Sequence, residues 1–141
     1  MKPRIAVGGA TGNVGSELLK VLAERHFPYS AFVPLASRRS IGQKLAFDGS
    51  EYRIEALDDF DFEATDILFL SAGSDVAREV APRAAAEGCL VIDNSSAFRM
   101  LEDVPLVVPE VNPDALGHWA GRKILPVANC STIQLVMVLH G

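Results

Sequence analysis

Arg4-Ile5-Ala6-Val7-Gly8-Gly9-Ala10-Thr11-Gly12-Asn13-Val14-Gly15 decides the fold. A short apolar run leads into glycines at 9, 12 and 15. The segment after them places Val14, Leu18, Leu19, Val21 and Leu22 in one helical stripe. Strand, tight turn and helix start are the opening of a βαβ unit. Glycine at these positions permits the turn, lets the backbone approach a pyrophosphate and lets the helix close on the strand. The helix N-terminus offers unpaired N–H groups to the anion. A glycine turn serving chain geometry alone is the other reading of the triplet, and its position between strand and amphipathic helix favours the dinucleotide. The candidate contacts here are Gly9, Thr11, Gly12, Asn13 and Val14.

Outward from this unit, short apolar runs alternate with helix-like segments, the pattern of an α/β, Rossmann-like, doubly wound domain with a mostly parallel sheet. Strands are expected at Arg4 to Val7, Ala31 to Ala36, Tyr52 to Leu57, Asp66 to Ser71, Cys89 to Asp93, Leu106 to Val108 and Lys123 to Val127. Helices are expected at Asn13 to Arg25, Asp75 to Glu87, Pro113 to Trp119 and from Ser131 onward, with Pro82 early enough in its helix to kink rather than abolish it.

The 141 residues suit one ordinary domain, with 49% hydrophobic and 22% charged residues. No apolar stretch approaches the roughly 20 residues that span a bilayer. The opening residues run straight into a strand without a secretory leader, so a cytoplasmic location is expected. A net charge of −5 gives no sign of a nucleic-acid surface. Cys89 and Cys130, far apart in the chain, read as free thiols, and no metal site is expected.

The end of the second strand bears on cofactor choice. An acidic residue there would hold the ribose 2′-hydroxyl of NAD, and basic groups would hold the 2′-phosphate of NADP. The strand runs into Ser37-Arg38-Arg39-Ser40 without a carboxylate. Two guanidinium groups and two hydroxyls could clasp a phosphate by charge-assisted hydrogen bonds; a solvated basic turn is the plainer alternative. NADP is favoured, with Arg38 as the clamp.

Further loops follow expected strand ends: Ser71-Ala72-Gly73, Asp93-Asn94-Ser95-Ser96-Ala97-Phe98-Arg99 and Asn129-Cys130-Ser131-Thr132. Small residues in the first two let a cofactor lie against the backbone, and Arg99 adds a cation for phosphate or carboxylate. Asn94 to Ser96 could equally be a locally satisfied turn and Arg99 a surface residue. Cys89 begins a strand and reads as a small buried hydrophobe. Cys130 follows a capping cluster at a helix start, where the helix dipole favours thiolate, so it is the candidate nucleophile, with Asn129 a donor to a developing oxyanion. The last segment, Ile133 to Leu139, is apolar nearly all round, as in a helix covered on every side by a further domain or another chain; left uncovered, it should be sticky or disordered.

Taken together, Gly9 to Gly15, Ser37-Arg38-Arg39-Ser40, Asp93 to Arg99, Val108-Pro109-Glu110-Val111-Asn112 and Asn129-Cys130-Ser131-Thr132-Ile133-Gln134 resemble the aspartate-semialdehyde dehydrogenases across the whole chain and in order. The N-acetyl-glutamyl-phosphate reductases share the layout but usually carry Gly-Cys-Tyr at the cysteine. The resemblance implies NADP-dependent, reversible conversion of L-aspartyl 4-phosphate to L-aspartate 4-semialdehyde and phosphate through a cysteine thioester, in lysine, methionine and threonine biosynthesis. It further implies Cys130 as nucleophile, Arg99 and Asn129 as phosphate-binding positions, and Ser37, Arg38 and Ser40 as contacts to the 2′-phosphate. Ser71, Ala72, Gly73 and Asn94 are the remaining cofactor contacts expected.

Members of that family continue into a catalytic and dimerisation domain, which this chain largely lacks. Residues 1–128 are therefore expected to form the dinucleotide-binding domain and 129–141 the start of the second. The family's acid/base histidine has no counterpart in His26, His118 or His140, and Gln134 is not its catalytic glutamine. These residues alone should turn over little, while the full-length protein is expected to be a homodimer or homotetramer. A different acyl-phosphate reductase and a non-catalytic NADP-sensing module are the other readings.

Overall fold

The computed structural model describes residues 1–101, 106–118 and 122–140. Strand β1 (Arg4–Gly8) lies inside a parallel sheet of six strands. The chain passes through helix α1 (Asn13–Glu24) to β2 (Ala31–Ala36), the hairpin β3 (Lys44–Phe47) and β4 (Ser50–Arg53), and the short β5 (Glu55–Ala56). It then crosses back to β6 (Ile67–Leu70), and α2 (Ser74–Ala86) leads to β7 (Leu90–Asp93) and β8 (Ile124–Pro126). The order β5-β2-β1-β6-β7-β8 reverses direction between β1 and β6. In open α/β sheets ligands bind at that switch point, outside the carboxyl ends of the strands.

Alternation along β1 builds a core on each face. Ile5 and Val7 join Leu19 and Leu22 of α1, Phe32 and Phe47. Ala6 points the other way, into a cluster with Leu68, Phe62, Val91 and the Ala77, Val80, Ala81 and Ala84 face of α2. Helices on opposite faces make the fold doubly wound, as expected. In α1 the buried face is Gly15, Leu19 and Leu22, while Val14 and Val21 are 51% and 39% exposed, so the stripe read from sequence is too wide at both ends. Pro82 falls late rather than early in the 13-residue α2; the helix continues to Ala86, the lost donor falling at one interior position.

Three expected elements differ. The strand expected over Tyr52 to Leu57 is the second arm of a hairpin, then a break at Ile54, then β5. Its first arm was not expected, although Asp48-Gly49 marks the turn: both take positive φ, 50° and 84°, as a tight two-residue hairpin demands. Phe47 and Tyr52 carry the hairpin onto Phe32, with ring centroids 4.4 and 4.8 Å away. The strand expected at Leu106 to Val108 amounts to a single bridge, Val107 to Val127, and Pro113–His118 is a 3-10 helix, with Trp119 outside the described residues. The last helix, α3 (Cys130–His140), is regular, and among its described residues none is buried.

An ion pair fastens the amino-terminal end of β1 to that of β6. Arg4 donates from Nε and Nη2 to Asp66, at 3.0 and 2.9 Å, and its backbone N–H adds a third bond at 2.7 Å. These donors hold the Asp66 carboxyl down at about 2, below its ordinary 3.8. The linked stability is present above the ordinary value and is lost as pH falls from about 4 toward 2. Both partners are half-exposed, so the effect is small. Asp66→Asn should flatten that acid limb and lower stability slightly at neutral pH; urea midpoints measured in steps from about pH 6 to about pH 2 check it.

Candidate functional site

Two backbone turns meet at the switch point. Gly9 has φ +80°, and a Cβ there would lie 2.0 Å from the Ser71 carbonyl oxygen; one on Gly15 would lie 2.1 Å from the carbonyl oxygen of Gly9. Both glycines are therefore demanded by chain packing. Gly12 is different: its φ is −78°, and its nearest neighbour, the Gly9 carbonyl oxygen, would be 3.4 Å from a Cβ. No side chain caps α1, so its first N–H groups face the space beside Gly12. An anion fits such a cradle.

A cavity of about 380 Å³ opens there, and Gly9, Thr11, Gly12, Ser37, Arg38, Ser71 and Ala72 line it together. Asn13 and Val14 stand exposed on the first turn of α1, outside that lining. Ser40 ends the 3-10 turn Arg38–Ser40, its N–H donating to the Ser37 carbonyl at 3.0 Å. Gly73 precedes α2 with φ +88°. An adenine dinucleotide fits the residues present: an uncapped helix start, an open glycine and a guanidinium on the far wall.

Arg38 is not the free cation that the sequence suggests. The carboxylates missing from the end of β2 arrive from the loop after β5, which pairs with the last residues of β2. Arg38 donates from Nε to Asp58 at 2.9 Å and from Nη2 to Asp59 at 3.0 Å. Sequence reading missed this contact because the two partners are 20 and 21 residues away.

The other candidate residues gather at the carboxyl ends of β7 and β8. Asp93 is fully buried and accepts from both the N–H and the hydroxyl of Ser95, at 3.1 and 2.6 Å, so this loop is the locally satisfied turn that was one of its two readings. The Asn94 side chain takes no part in those bonds; the residue's backbone N–H donates to the Leu70 carbonyl. Ser74 and Ser96 hydroxyls meet at 2.9 Å, tying the loops after β6 and β7. Arg99 is a bridge rather than a surface residue: Nε donates to the Val127 carbonyl at 2.8 Å and Nη2 to that of Asn94 at 3.2 Å.

Two residues beyond Val127, Asn129 caps α3. Its side-chain oxygen accepts from the Ser131 N–H at 2.9 Å and its carbonyl from the Ile133 N–H at 2.9 Å, leaving its amide N–H₂ as a donor. Cys130 is the first residue of that helix and is exposed. Cys89 is buried, and burial, with the Asp66 charge adding to it, pushes its thiol up to about 12. One thiol is accessible and the other is core.

The fold and the glycine cradle define a dinucleotide-binding domain. Residues 4–119 match the family model described as semialdehyde dehydrogenase, NAD binding domain, and the chain belongs to that family. It is 48% identical over 135 residues to the aspartate-semialdehyde dehydrogenase of Shewanella violacea, covering 96% of this chain and 40% of that protein. A solved structure of aspartate semialdehyde dehydrogenase II from Vibrio cholerae, complexed with ASA, superposes with a TM-score of 0.95 at 44% identity, covering 99% of this chain and 46% of that one. The Candida albicans enzyme with NADP gives 0.83 at 27% identity, covering 99% and 46%. The chain thus spans about 40% of the length of the curated relatives it matches.

The glycines separate folding from binding. Gly9→Ala should cost at least about 1–3 kcal/mol, through left-handed strain and the clash with Ser71. Gly12→Ala should stay within about 1 kcal/mol of wild type yet weaken dinucleotide binding, its methyl standing where the pyrophosphate would approach. Urea melts combined with NAD and NADP titrations check both.

Proposed function

We propose that this chain is the NADP-binding portion of an aspartate-semialdehyde dehydrogenase, which interconverts L-aspartyl 4-phosphate with L-aspartate 4-semialdehyde and phosphate in lysine, methionine and threonine biosynthesis. The observation that carries the reading is the exposed Cys130 behind its Asn129 cap, at the same carboxyl edge of the sheet as the glycine cradle. High identity to proteins of that name supports it.

In the biosynthetic direction the Cys130 thiolate attacks the acyl carbon and phosphate departs with the bonding pair, leaving a thioester. The Asn129 amide and the N–H groups at the start of α3 donate to the oxygen on which charge develops. Arg99, its Nε and Nη2 committed to carbonyls, keeps Nη1 for the departing phosphate. NADPH, when bound, would supply hydride to the thioester carbon, and the Cys130 sulfur would leave as thiolate with the C–S bonding pair, freeing the aldehyde. Gly12 would let the dinucleotide's pyrophosphate approach the backbone N–H groups of Asn13 and Val14, Ser37, Arg38 and Ser40 would hold its 2′-phosphate, and Ser71, Ala72, Gly73 and Asn94 would line the path toward Cys130. Residues 129–141 open the catalytic and dimerisation domain, without which turnover is negligible; the full-length protein is a cytoplasmic homo-oligomer.

In full-length protein, Cys130→Ser should lower turnover with aspartate semialdehyde, NADP and phosphate by roughly 10³-fold or more while leaving NADP binding intact. Robust residual turnover would exclude the thioester. Preference of the wild type for N-acetylglutamate semialdehyde would move the reading to the neighbouring reductases.

A further inference from the structure

The loop that brings carboxylates to Arg38 is held rather than loose. Leu57 is buried, and its N–H donates to the Ala36 carbonyl at 3.0 Å, fixing the loop to the end of β2. From α2, Arg83 donates Nη1 to the Phe60 carbonyl and Nη2 to those of Leu57 and Asp58, the latter two at 3.1 and 3.3 Å. The Arg83 guanidinium also sits 5.0 Å from the centre of the buried Phe62 ring, and the Phe62 N–H donates to Glu87 at 2.6 Å. Asp58 and Asp59 are thus presented to Arg38 by backbone anchored on both sides, and Asp58 lines the same cavity as Ser37 and Arg38.

This fixes the charge at the adenosine end. One guanidinium faces two carboxylates, a local sum of −1, and a phosphate monoester brings about −1.5 to −2 more at neutral pH. Nε and Nη2 are held by the carboxylates, so a 2′-phosphate finds Nη1 open but gains the full fork only by displacing Asp58 and Asp59, beside charges that repel it. A ribose 2′-hydroxyl meets no such opposition and can donate to Asp58. We infer that Asp58 and Asp59 are cofactor-selecting residues that narrow the preference for NADP over NAD which Arg38 would otherwise impose. The inference rests on the reading that the dinucleotide lies in this cavity with Arg38 at its 2′-position. Because both ion pairs are exposed and individually weak, the phosphate can displace them, so the effect is a graded bias.

Isothermal titration of full-length protein with NADP and with NAD tests it, in wild type, Asp58→Asn/Asp59→Asn and Arg38→Ala. The double amide should bind NADP more tightly and NAD no better, raising the ratio of the two dissociation constants roughly three- to tenfold. Arg38→Ala should bring that ratio close to one. A ratio unchanged or lowered in the double amide, with NADP still lost on Arg38→Ala, would overturn the selector role and leave the clamp standing. Equal losses of both dinucleotides in Arg38→Ala would overturn the clamp and the selector together. Melting curves report whether the double amide folds; should it not, the single variants are read in the same way.

Discussion

The close approach of two backbone turns at the switch point is the constraint on which the rest depends. With the Ser71 carbonyl sitting where a side chain at position 9 would begin, β1 and β6 can run side by side to their carboxyl ends and still turn outward in opposite directions. The same turn places the Gly9 carbonyl beneath Gly15, so α1 starts directly above the strand. A helix end, with its unpaired donors, is thereby brought to the edge of the sheet, and the cavity is the space left over. The cradle is a by-product of tight packing, and Gly12 is the position where packing asks nothing and, on the proposed reading, a ligand would.

Legibility in the sequence follows the range of the interaction. Helix α1, β2 and the glycine turn are local: apolar period, strand length and backbone conformation are all set by neighbours in the chain, and each lies where the pattern puts it. The capped start of α3 is equally local, because Asn129 satisfies an N–H two residues on. The β3 and β4 hairpin failed for a different reason. Its arms are four residues each and mostly exposed, so alternation is faint, and the turn pair Asp48-Gly49 was the stronger signal. What sequence could not deliver were long-range polar contacts: Arg38 with Asp58 and Asp59, Arg83 with the Leu57, Asp58 and Phe60 carbonyls, and Arg99 with Val127.

Those three arginines do different work with the same fork of donors. Arg83 spends its donors on carbonyls that no strand satisfies, half-buried and stacked on a ring, and so serves as a structural rivet. Arg99 bonds the ends of β7 and β8, and this fixes the strand end from which Asn129 and Cys130 follow. Arg38 alone is paired to charges in solvent, where an ion pair contributes little and exchanges readily. Burial, rather than residue type, separates the fixed guanidiniums from the adjustable one.

The two cysteines make the same point about environment. Cys89 is set against the sheet, where removing its proton would bury an unpaired charge near the Asp66 carboxylate, so chemistry there is suppressed. Cys130 sits at the opposite extreme: an exposed sulfur on the first turn of a helix whose cap is already satisfied by Asn129. Because the cap holds the helix start without help from the thiol, the sulfur is free of any folding duty. A residue released from structural work, at the edge of the sheet where ligands bind, is available for bond-making. On the proposed mechanism, the rigidity that aims it comes from Arg99 and the capped helix behind it.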